Sequence, residues 1–390
     1  MKILHTGDWH IGKIINDFSM LNDQKYILDQ FFDIISDEKP DVIIISGDIY
    51  DRSIPPKEAV ELLDNTLTRL IEDYKIPTLI VSGNHDSHER LSFGNRLLEH
   101  KKLYIEGVIT PNIKKVTLED SYGLVNFYML PYAHPAIIRN VFEEETVLDH
   151  QDAFKVLINK LKEDMNFNER NILITHNYLI SSMDDVLLSE SERSLSVGGT
   201  EYIDVSLVED FDYVALGHLH QGQKVKEDYV RYSGSLLKYS FSEVNRKKGV
   251  VVAELKEKGN YNYRQVVLTP KKDMIVIEGK LNTLISPAYY QKIDCSSYIL
   301  AKLTDTTDLY DPLSSLRAIY PNLMQIQRNH LITNVNSQTK ASSDFKRKSK
   351  LDLFEEFYTN VVCQNLDEKR KTVFKSVVDE VIKGDGQVCD

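Results

Sequence analysis

Cysteine, long apolar runs and a leader pattern are what this sequence has little of. Its three cysteines, Cys295, Cys363 and Cys389, are scattered and lack the Cys-x-x-Cys spacing of zinc or redox sites. We therefore expect reduced thiols without a disulfide framework. No apolar run approaches the roughly 20 residues of a membrane-spanning helix. The chain starts directly with a strand pattern and shows no signal peptide, so the expected location is the cytoplasm.

Basic charge is also scarce. There are 47 Lys and Arg against 59 Asp and Glu, a formal net charge of −12, which argues against a nucleic-acid coat protein with a basic surface. An enzyme that acts on nucleic acid is not excluded, because metal ions offset the carboxylates of a site and basic patches can be local. The sequence has no Gly-x-x-x-x-Gly-Lys-Ser/Thr motif, so we expect no ATP hydrolysis by this chain.

One pattern is repeated along the sequence. Five short apolar runs end in Asp, Asn or His, and four of them do so through a glycine. Short apolar runs before a turn are typical of buried strands, and their carboxyl ends are where α/β sheets usually bind ligands. The residues that follow the runs are Asp8 and His10, Asp48, Asn84 and His85, His176, and His218 and His220.

The apolar spacing alternates between strand and helix through the first 270 residues. It predicts helices over 20–37, 57–74, 88–100 and 150–164, and strands separated by helices indicate parallel β-α-β units. From 228 to 268 the pattern is that of β-strands. We therefore expect one α/β domain over 1–270, in a chain whose 390 residues leave room for two to three domains.

The rest of the chain divides into three predicted segments. Residues 271–333 have the pattern of a small α+β domain. Residues 334–350 are rich in Asn, Ser, Thr and Lys and predict a basic flexible linker, because such a composition cannot bury a core. Residues 351–390 predict two amphipathic helices, at 351–363 and 367–383. The pair is too short for a core of its own and is expected to dock on another chain, with packing back on its own domain as the alternative.

Ligand spacing at the strand ends indicates a shared site. Asp8 and His10 are two residues apart, as are His218 and His220. In an extended chain the two side chains of each pair therefore point to the same side. Oxygen and imidazole donors without thiolates favour manganese or iron over calcium or structural zinc. A single Gly-Asp or His-x-His is most often a turn or a hydrogen-bonded histidine. Their joint occurrence instead predicts two metals roughly 3.5–4 Å apart, with Asp48 as the bridging carboxylate.

These residues match the pattern of a known family. Asp8-x-His10, Gly47-Asp48, Gly83-Asn84-His85-Asp86, His176 and Gly217-His218-x-His220 resemble the calcineurin-like metallophosphoesterases. Within that group the chain resembles the SbcD-type nuclease subunits of bacterial ATPase–nuclease complexes. The runs that carry this closer resemblance are His5–Lys13, Asn84–Ser87 and Tyr232–Glu243. The motifs cover 1–270, whereas the later domains are matched chiefly by architecture.

The resemblance implies a fold and an activity. The fold would be a β-sandwich flanked by helices, with a small α+β capping domain and a C-terminal helical hairpin. The activity would be metal-dependent hydrolysis of DNA phosphodiester bonds, as double-strand exonuclease and single-strand or hairpin endonuclease, in DNA repair, recombination and replication. The cofactors would be two divalent metal ions, Mn²⁺ or alternatively Mg²⁺.

The resemblance also implies roles for single residues. His85 would be the catalytic histidine, which donates a proton to the leaving oxygen or stabilises the charged transition state. Asp48 would bridge the two metals. One metal would be held by Asp8, His10, Asp48 and His220, and the other by Asp48, Asn84, His176 and His218.

Several side chains remain open between two interpretations. Asp86 either orients His85 or caps the helix that follows. Arg52 either grips a substrate phosphate, as in the Gly-Asp-x-x-Asp-Arg motif of protein phosphatases, or pairs with Asp51. The basic run Arg246-Lys247-Lys248 is either a DNA-backbone contact or a solvated loop, and the same holds for Lys271-Lys272 and 346–350.

The partners implied by the resemblance are DNA and an SbcC-type ATPase, which the C-terminal helices would bind. The subunit would form a homodimer within a heterotetramer, with Leu97 and Leu98 as candidate dimer residues, and would be associated with the nucleoid rather than a membrane. Two other functions stay open. One is a phosphatase or small-molecule phosphodiesterase using the same metals, and the other is a scaffold in which the metals are structural.

Overall fold

The computed structural model describes residues 1–143, 146–181, 187–192, 202–307, 309–328, 351, 354–355, 358 and 366–385. The predicted linker at 334–350 and most of the predicted helix at 351–363 lie outside these residues. The chain forms two compact units. One comprises Met1–Ile277, Ile293–Leu300 and Arg317–Gln325, and the other comprises Glu278–Lys292, Ala301–Leu316 and Ile326–Asp390.

The strands among the described residues are short, and most are apolar. They are β1 (Lys2–Thr6), β2 (Ile14–Ile15), β3 (Phe18–Ser19), β4 (Val42–Ser46), β5 (Thr78–Val81), β6 (Leu103–Glu106), β7 (Lys114–Asp120), β8 (Gly123–Leu130), β9 (Arg170–Thr175), β10 (Leu179–Ile180), β11 (Ile203–Asp204), β12 (Tyr213–Leu216), β13 (Gln223–Val225), β14 (Glu227–Tyr232), β15 (Gly249–Leu255), β16 (Tyr261–Val267), β17 (Met274–Gly279), β18 (Tyr298–Leu303) and β19 (Leu323–Arg328).

The α-helices among the described residues vary widely in length, and a π-helix over Arg69–Tyr74 continues the second of them. They are α1 (Leu21–Glu38), α2 (Lys57–Thr68), α3 (His88–Leu91), α4 (Asn95–Leu98), α5 (Pro135–Phe142), α6 (His150–Glu163), α7 (Leu281–Leu284), α8 (Pro287–Tyr290), α9 (Pro312–Arg317) and α10 (Glu368–Asp385). None of these described helices combines the length and hydropathy needed to cross a membrane.

Two six-stranded sheets form the centre of the first unit. One has the order β16-β15-β1-β4-β5-β6 and the other β13-β14-β12-β9-β8-β7. Strands β1, β4, β5 and β6 run parallel, and so do β14, β12, β9 and β8. The antiparallel pairs are β1 with β15 and β15 with β16 in the first sheet, and β14 with β13 and β8 with β7 in the second. The predicted parallel β-α-β units are confirmed, within sheets that are mixed.

The two sheets pack face to face. Ile44 of β4 and Leu79 of β5 belong to the same buried cluster as Phe127 of β8 and Ile174 of β9. Helices cover the outer faces: α1 and α2 pack on the first sheet, and α6 packs on the second. Apolar residues at helical spacing, such as Phe31 and Ile35 of α1, explain this packing. The predicted α/β fold with helices flanking a sandwich is confirmed.

The predicted helix over 88–100 is wrong as a single element. The structure has α3, then α4, then a 3₁₀ turn over Glu99–Lys101. Gly94 lies between α3 and α4 in the left-handed region, with φ of 73°, which suits glycine because it has no Cβ to clash. The Ser92 hydroxyl accepts a hydrogen bond from the Gly107 N–H (3.0 Å). Apolar spacing alone could not reveal these local breaks.

The region predicted as a small α+β domain contains both element types. Strands β17, β18 and β19 form a three-stranded sheet in that order. The short helices α7 and α8 lie between β17 and β18 in the chain, and α9 lies between β18 and β19. At the C-terminus the structure describes the helix α10, close to the predicted 367–383.

Candidate metal centre

Loops that follow five strands place their side chains together. The Asp8 N–H donates to the Gly47 carbonyl (3.0 Å) and the His10 N–H to the Asp48 carbonyl (2.9 Å), which ties the loop after β1 to the loop after β4. The His218 N–H donates to Asp8 Oδ1 (2.8 Å), which ties the second sheet to the first. The side chains gathered here are Asp8, His10, Asp48, Asn84, His85, His176, His218 and His220.

The backbone at four of these positions is strained. Asp8, His10, Asp48 and His218 have φ of 52°, 47°, 49° and 100°, in a region that residues with a side chain rarely adopt. Such conformations cluster at functional sites, where the surrounding structure holds them in place. The main chain is also tightly approached, because a Cβ on Gly83 would overlap Asp48. The backbone conformation at these strand ends therefore directs the side chains toward one common site.

The first group of ligands, called here the His10 side, consists of Asp8, His10 and His220. The two Nε2 atoms of His10 and His220 lie 2.9 Å apart, so both rings point to one spot. Asp8 Oδ2 is buried there and has no hydrogen-bond partner among the described residues. A buried carboxylate oxygen without a partner is costly, and a cation bound at this spot would satisfy it. The residues therefore fit a metal ion.

The second group, called here the His176 side, consists of Asn84, His176 and His218. Asn84 Oδ1 lies 3.2 Å from His176 Nε2 and 3.3 Å from His218 Nδ1. Asp48 stands between the two sides, because its Oδ2 is 3.4 Å from His176 Nε2 and 3.5 Å from His10 Nε2. This placement suits a carboxylate that bridges two ions. The clusters of His and Asp thus have the arrangement of a binuclear metal site.

Charge and burial set the protonation of the metal-free site. Burial disfavours the charged form of His176, but the Asp48 carboxylate outweighs it and raises the pKa of His176 to about 9. Burial lowers the pKa of His218 to about 3, and burial also lowers the pKa of His220. Burial raises the pKa of Asp8 well above its usual range. His176 is therefore protonated and faces Asp48, whereas His218 and His220 are neutral and can bind a cation.

His85 lies at the centre without belonging to either side. Its ring Nδ1 donates to the Asp51 carbonyl (2.8 Å), which leaves Nε2 facing inward, 3.9 Å from Asp48 Oδ2. The His85 N–H donates to Asp48 Oδ1 (2.9 Å), and the ring meets His10 edge to face, with centroids 4.7 Å apart. The ring is thus fixed beside the ligands with one nitrogen available for substrate.

Asp86 has contacts that neither sequence interpretation foresaw. Its carboxylate accepts from the backbone N–H groups of Gly83 (2.9 Å), Ile49 (3.1 Å) and Tyr50 (2.9 Å). These bonds join the loops after β4 and β5. Burial raises the pKa of Asp86 to about 7. Ser87, rather than Asp86, occupies the N-cap position of the following helix.

Asp51 and Arg52 lie next to the centre in different environments. Asp51 forms an ion pair with Lys13 (2.7 Å), and its Oδ1 is 3.7 Å from His10 Nδ1. Arg52 is exposed. Among the described contacts, the partner of Asp51 is therefore Lys13 rather than Arg52.

The basic run predicted as a DNA contact separates into three environments. Lys247 is exposed, and Arg246 is half-buried with its guanidinium donating to the Leu188 carbonyl (2.9 Å). Lys248 is buried, and its Nζ binds Glu243 Oε2 (2.6 Å) and the His220 carbonyl (2.6 Å). An internal ammonium cannot contact DNA, so the prediction for Lys248 is corrected. A run of basic residues in the sequence does not reveal this burial. Lys248 is buried because the strand β15 begins at the next residue.

Sequence reasoning missed several supporting residues. Tyr239 packs edge to face on both His10 and His220, with centroids 5.6 and 5.8 Å apart. Glu192 accepts from the His220 N–H (2.8 Å), and Ser191 contacts the His220 ring. Burial disfavours the charged form of Glu243, but His220 and Lys248 outweigh it and lower its pKa. The family-like run Tyr232–Glu243 is the one signal in the sequence that points to part of this support.

Comparison with known proteins agrees with this geometry. Residues 1–222 match the family described as calcineurin-like phosphoesterase. The chain is 35% identical over 388 residues to the D subunit of the SbcCD nuclease of Staphylococcus epidermidis, covering 99% of this chain and 100% of that protein. The chain belongs to the calcineurin-like phosphoesterases, in the family of SbcCD nuclease D subunits. The predicted family is confirmed. Residues 270–362 of this SbcD-family chain match the type 5 capsule protein repressor C-terminal domain.

Solved structures of other phosphoesterases are also similar to this SbcD-family chain. Phosphopantetheinyl hydrolase from Mycobacterium tuberculosis is 14% identical, with a TM-score of 0.38, over 68% of this chain and 95% of that one. A dimetal phosphatase from Danio rerio is 13% identical, with a TM-score of 0.43, over 69% of this chain and 98% of that one.

Proposed function

We propose that this chain is the nuclease subunit of an SbcCD-type complex. It hydrolyses DNA phosphodiester bonds, as a double-strand exonuclease and as a single-strand and hairpin endonuclease, in DNA repair, recombination and replication. One observation carries this: a buried double ligand cluster with His85 held beside it, in a chain 35% identical over 388 residues to the D subunit of an SbcCD nuclease. The location that fits this activity is the cytoplasm, at the nucleoid.

The cofactors are two divalent ions, Mn²⁺ with Mg²⁺ as the alternative, because the donors are oxygen and imidazole nitrogen. When bound, the ions supply Lewis-acid charge that activates a water and stabilises in-line displacement at phosphorus. The residues that would hold them are Asp8, His10 and His220 on one side, Asn84, His176 and His218 on the other, and Asp48 between.

The chain's own residues organise the proton transfer. The bond from His85 Nδ1 to the Asp51 carbonyl fixes the ring, so Nε2 is the nitrogen presented to substrate. When the ring is protonated, Nε2 donates to the leaving oxygen as the phosphodiester bond breaks. The Asp48 carbonyl and carboxylate tie the loops of His10 and His85 into one unit, which keeps donor and ligands in register.

DNA contacts are proposed at exposed basic side chains. Lys247 is exposed next to Arg246, and Lys271 is exposed next to Lys272. Contacts of this kind bind phosphates, add affinity without sequence preference and weaken with salt. The predicted capping domain at 271–333 is proposed to help place DNA over the metals.

Protein partners are proposed at two apolar surfaces. Val377 of α10 is 51% exposed, and Phe354 stacks on Phe374 with centroids 3.9 Å apart, which supports a hairpin that docks on an SbcC-type ATPase. Phe93 and Leu97 are 87% and 77% exposed beside α3 and α4. This supports a homodimer within a heterotetramer, because large exposed apolar residues in a group indicate an interface.

The test is cleavage of labelled linear duplex and hairpin DNA with Mn²⁺. It compares the chain alone, the chain with its ATPase partner and ATP, and a His85→Asn variant of each. His100→Asn is the matched control, because His100 is exposed and lies outside the ligand cluster. We expect His85→Asn to abolish cutting while both Mn²⁺ ions still bind, and His100→Asn to cut normally. Full activity of His85→Asn would remove its assigned role.

The partner surface has its own test. Val377→Asp should abolish ATP-dependent stimulation by the ATPase subunit, while the chain alone cuts as before. A stimulated Val377→Asp variant would place the partner elsewhere.

A phosphatase or small-molecule phosphodiesterase is the second candidate. The exposed Arg52 beside the centre favours it, because an arginine can grip a phosphate monoester in bidentate fashion. Rapid Mn²⁺-dependent hydrolysis of a small phosphoester, without cutting of any DNA, would favour this function over the nuclease.

A further inference from the structure

The ring of His220 is oriented by a serine that is distant in sequence. Ser191 Oγ lies 2.6 Å from His220 Nδ1 and 2.6 Å from Glu243 Oε1. A serine hydroxyl has one proton, and a carboxylate can only accept. Ser191 therefore donates to Glu243 and accepts from a protonated His220 Nδ1. That tautomer leaves the lone pair on Nε2, the nitrogen that faces His10.

Glu243 is held as an acceptor from several directions. It is fully buried, and its Oε1 accepts hydrogen bonds from Ser189 as well as Ser191. Its Oε2 pairs with Lys248 Nζ (2.6 Å), and Lys248 also donates to Ser235 Oγ (2.9 Å). A buried carboxylate keeps its charge when it is paired and hydrogen-bonded in this way.

The segment 187–192 that carries Ser191 is itself fixed at the same place. Glu192 accepts from the His220 N–H (2.8 Å) and from the Ser189 N–H (2.8 Å). The Glu190 N–H donates to Ser242 Oγ (3.2 Å). The segment thus contacts both the His220 backbone and the turn that contains Glu243.

We propose that Ser191 and Glu243 are positioning residues that lock His220 with Nε2 toward the metal, and so set the metal affinity of the His10 side. The pair acts as a chain of hydrogen bonds from carboxylate to hydroxyl to imidazole, the type of outer support that orients metal-binding histidines. The inference rests on the proposed metal centre but not on DNA as substrate.

The effect is specific to one side. His176 has its Nδ1 fixed by the Ser46 carbonyl (2.7 Å), so no side chain of the pair is needed there. Loss of the Ser191 hydroxyl should therefore weaken the binding of the ion on the His10 side and leave the binding of the other ion unchanged.

The first experiment is Mn²⁺ titration of the full chain by calorimetry and by electron paramagnetic resonance. Ser191→Ala should lower the affinity for one of the two Mn²⁺ ions by about 10- to 100-fold and leave the affinity for the other unchanged. Ser191→Thr, which keeps a hydroxyl, should restore it. Ser206→Ala is the matched control, because Ser206 is exposed in the 3₁₀ turn over Val205–Val208 and lies outside the contacts of His220 and Glu243. Parent-like affinity for both ions in Ser191→Ala would count against the pair.

A second variant tests whether the Glu243 carboxylate takes over the role of Ser191. Glu243 Oε1 is 3.6 Å from His220 Nδ1 and could replace Ser191 directly. Glu243→Met with Lys248→Met removes the buried pair together, which avoids an unpaired charge. This double variant should lose the same ion. Retention of both ions by Ser191→Ala and by the double variant overturns the proposal.

A readout without metal separates this inference from the proposed function. Spectra of ¹⁵N-histidine-labelled protein, with His220 assigned through His220→Asn, report which ring nitrogen carries the proton. We expect the Nδ1–H tautomer in the metal-free parent and its loss in Ser191→Ala. The same tautomer in the parent, in Ser191→Ala and in the double variant would overturn the proposal even if Mn²⁺ bound. A parent chain that bound no Mn²⁺ would remove the proposed function, while the spectra would still decide the role of Ser191.

Discussion

The two sides of the metal centre hold their histidines by different means. On the His176 side the ring is fixed by a main-chain carbonyl, that of Ser46 at the end of β4. On the His10 side the ring of His220 is held by Ser191, and Glu243 and Lys248 stand behind it. The first arrangement follows from the packing of the two sheets, which brings the ends of β4 and β9 together. The second depends on a contact between Ser191 and Glu243, which are 52 residues apart in the chain.

This difference separates what the fold guarantees from what single residues supply. Any sequence that packs the ends of β4 and β9 together across the two sheets brings a main-chain carbonyl to His176, and no substitution can delete that carbonyl. The support of His220 can be removed by one substitution. We therefore expect the two ions to respond differently to mutation, and the following tests go from the largest expected effect to the smallest.

The largest effect is expected at the residue the two sides share. Asp48→Asn removes the charge that lies between His176 and His10, so both ions should bind more weakly and cutting should fall by about 10³-fold or more. Mn²⁺ stoichiometry and cleavage rates check this, with the exposed Asp64→Asn as control. A variant that lost only one ion would show that Asp48 does not bridge.

A large effect on stability is expected behind His220. Lys248→Met leaves Glu243 buried without its cation, which should lower the free energy of unfolding by about 3–5 kcal/mol. Lys247→Met, one residue away and exposed, should change it by no more than about 0.5 kcal/mol. Urea unfolding of the metal-free chains measures both. Equal effects would mean that the buried pair is not as the structure shows.

Proton release should distinguish the two sides by pH. The pKa of His176 is raised to about 9, so at neutral pH this ring must lose a proton before an ion binds. The affinity of the His176 side should rise by up to about 10-fold per pH unit until about pH 9. On the His10 side the pKa of His220 is lowered and that of Asp8 is raised, so the proton released there comes from Asp8 and not from a histidine. Mn²⁺ titrations at several pH values test this. A flat profile on both sides would contradict it.

The same shift predicts a trend in the stability of the metal-free chain. Because the pKa of His176 is raised, its contribution is fully present below the unfolded value of 6.5 and is lost as pH rises through about 9. A His176→Asn chain should lose less stability over that interval than the parent does in urea unfolding.

The smallest effect is expected at the DNA surface. Lys247→Met removes one exposed charge, so DNA affinity should fall by about 2- to 5-fold at low salt and by less at high salt, without change in Mn²⁺ affinity. Lys57→Met is the control, because Lys57 is exposed on α2. An equal loss with both variants would mean that only overall charge matters.

The sequence could predict which side chains gather at one place because they obey a local rule. Each follows a short apolar run, and the carboxyl ends of such runs gather at one edge of a sheet. The structure brings together all seven predicted ligands and His85. The family comparison confirms the fold and the class of enzyme, while the metal identity and each residue's role remain predictions.

Other features depend on tertiary context that no local rule contains. Lys248 has the same sequence environment as Lys247, yet only the pairing of β15 makes it internal. Glu243 matters because Ser191 reaches it across the fold, and that contact leaves no spacing pattern. Asp86 was expected to act on its own neighbourhood, but it binds backbone groups of another loop as well. Sequence patterns reveal residues that recur at equivalent positions, such as the strand ends, but they do not reveal a single contact between residues that are distant in the chain.

The left-handed backbone at Asp8, His10, Asp48 and His218 has a consequence for how such a chain can change. Glycine adopts this conformation without strain, so a glycine at His10 or His218 would relieve the main chain while deleting a ligand. Stability and activity then oppose each other at the same positions. Substitutions that favour only a stable fold would therefore remove metal ligands at these positions.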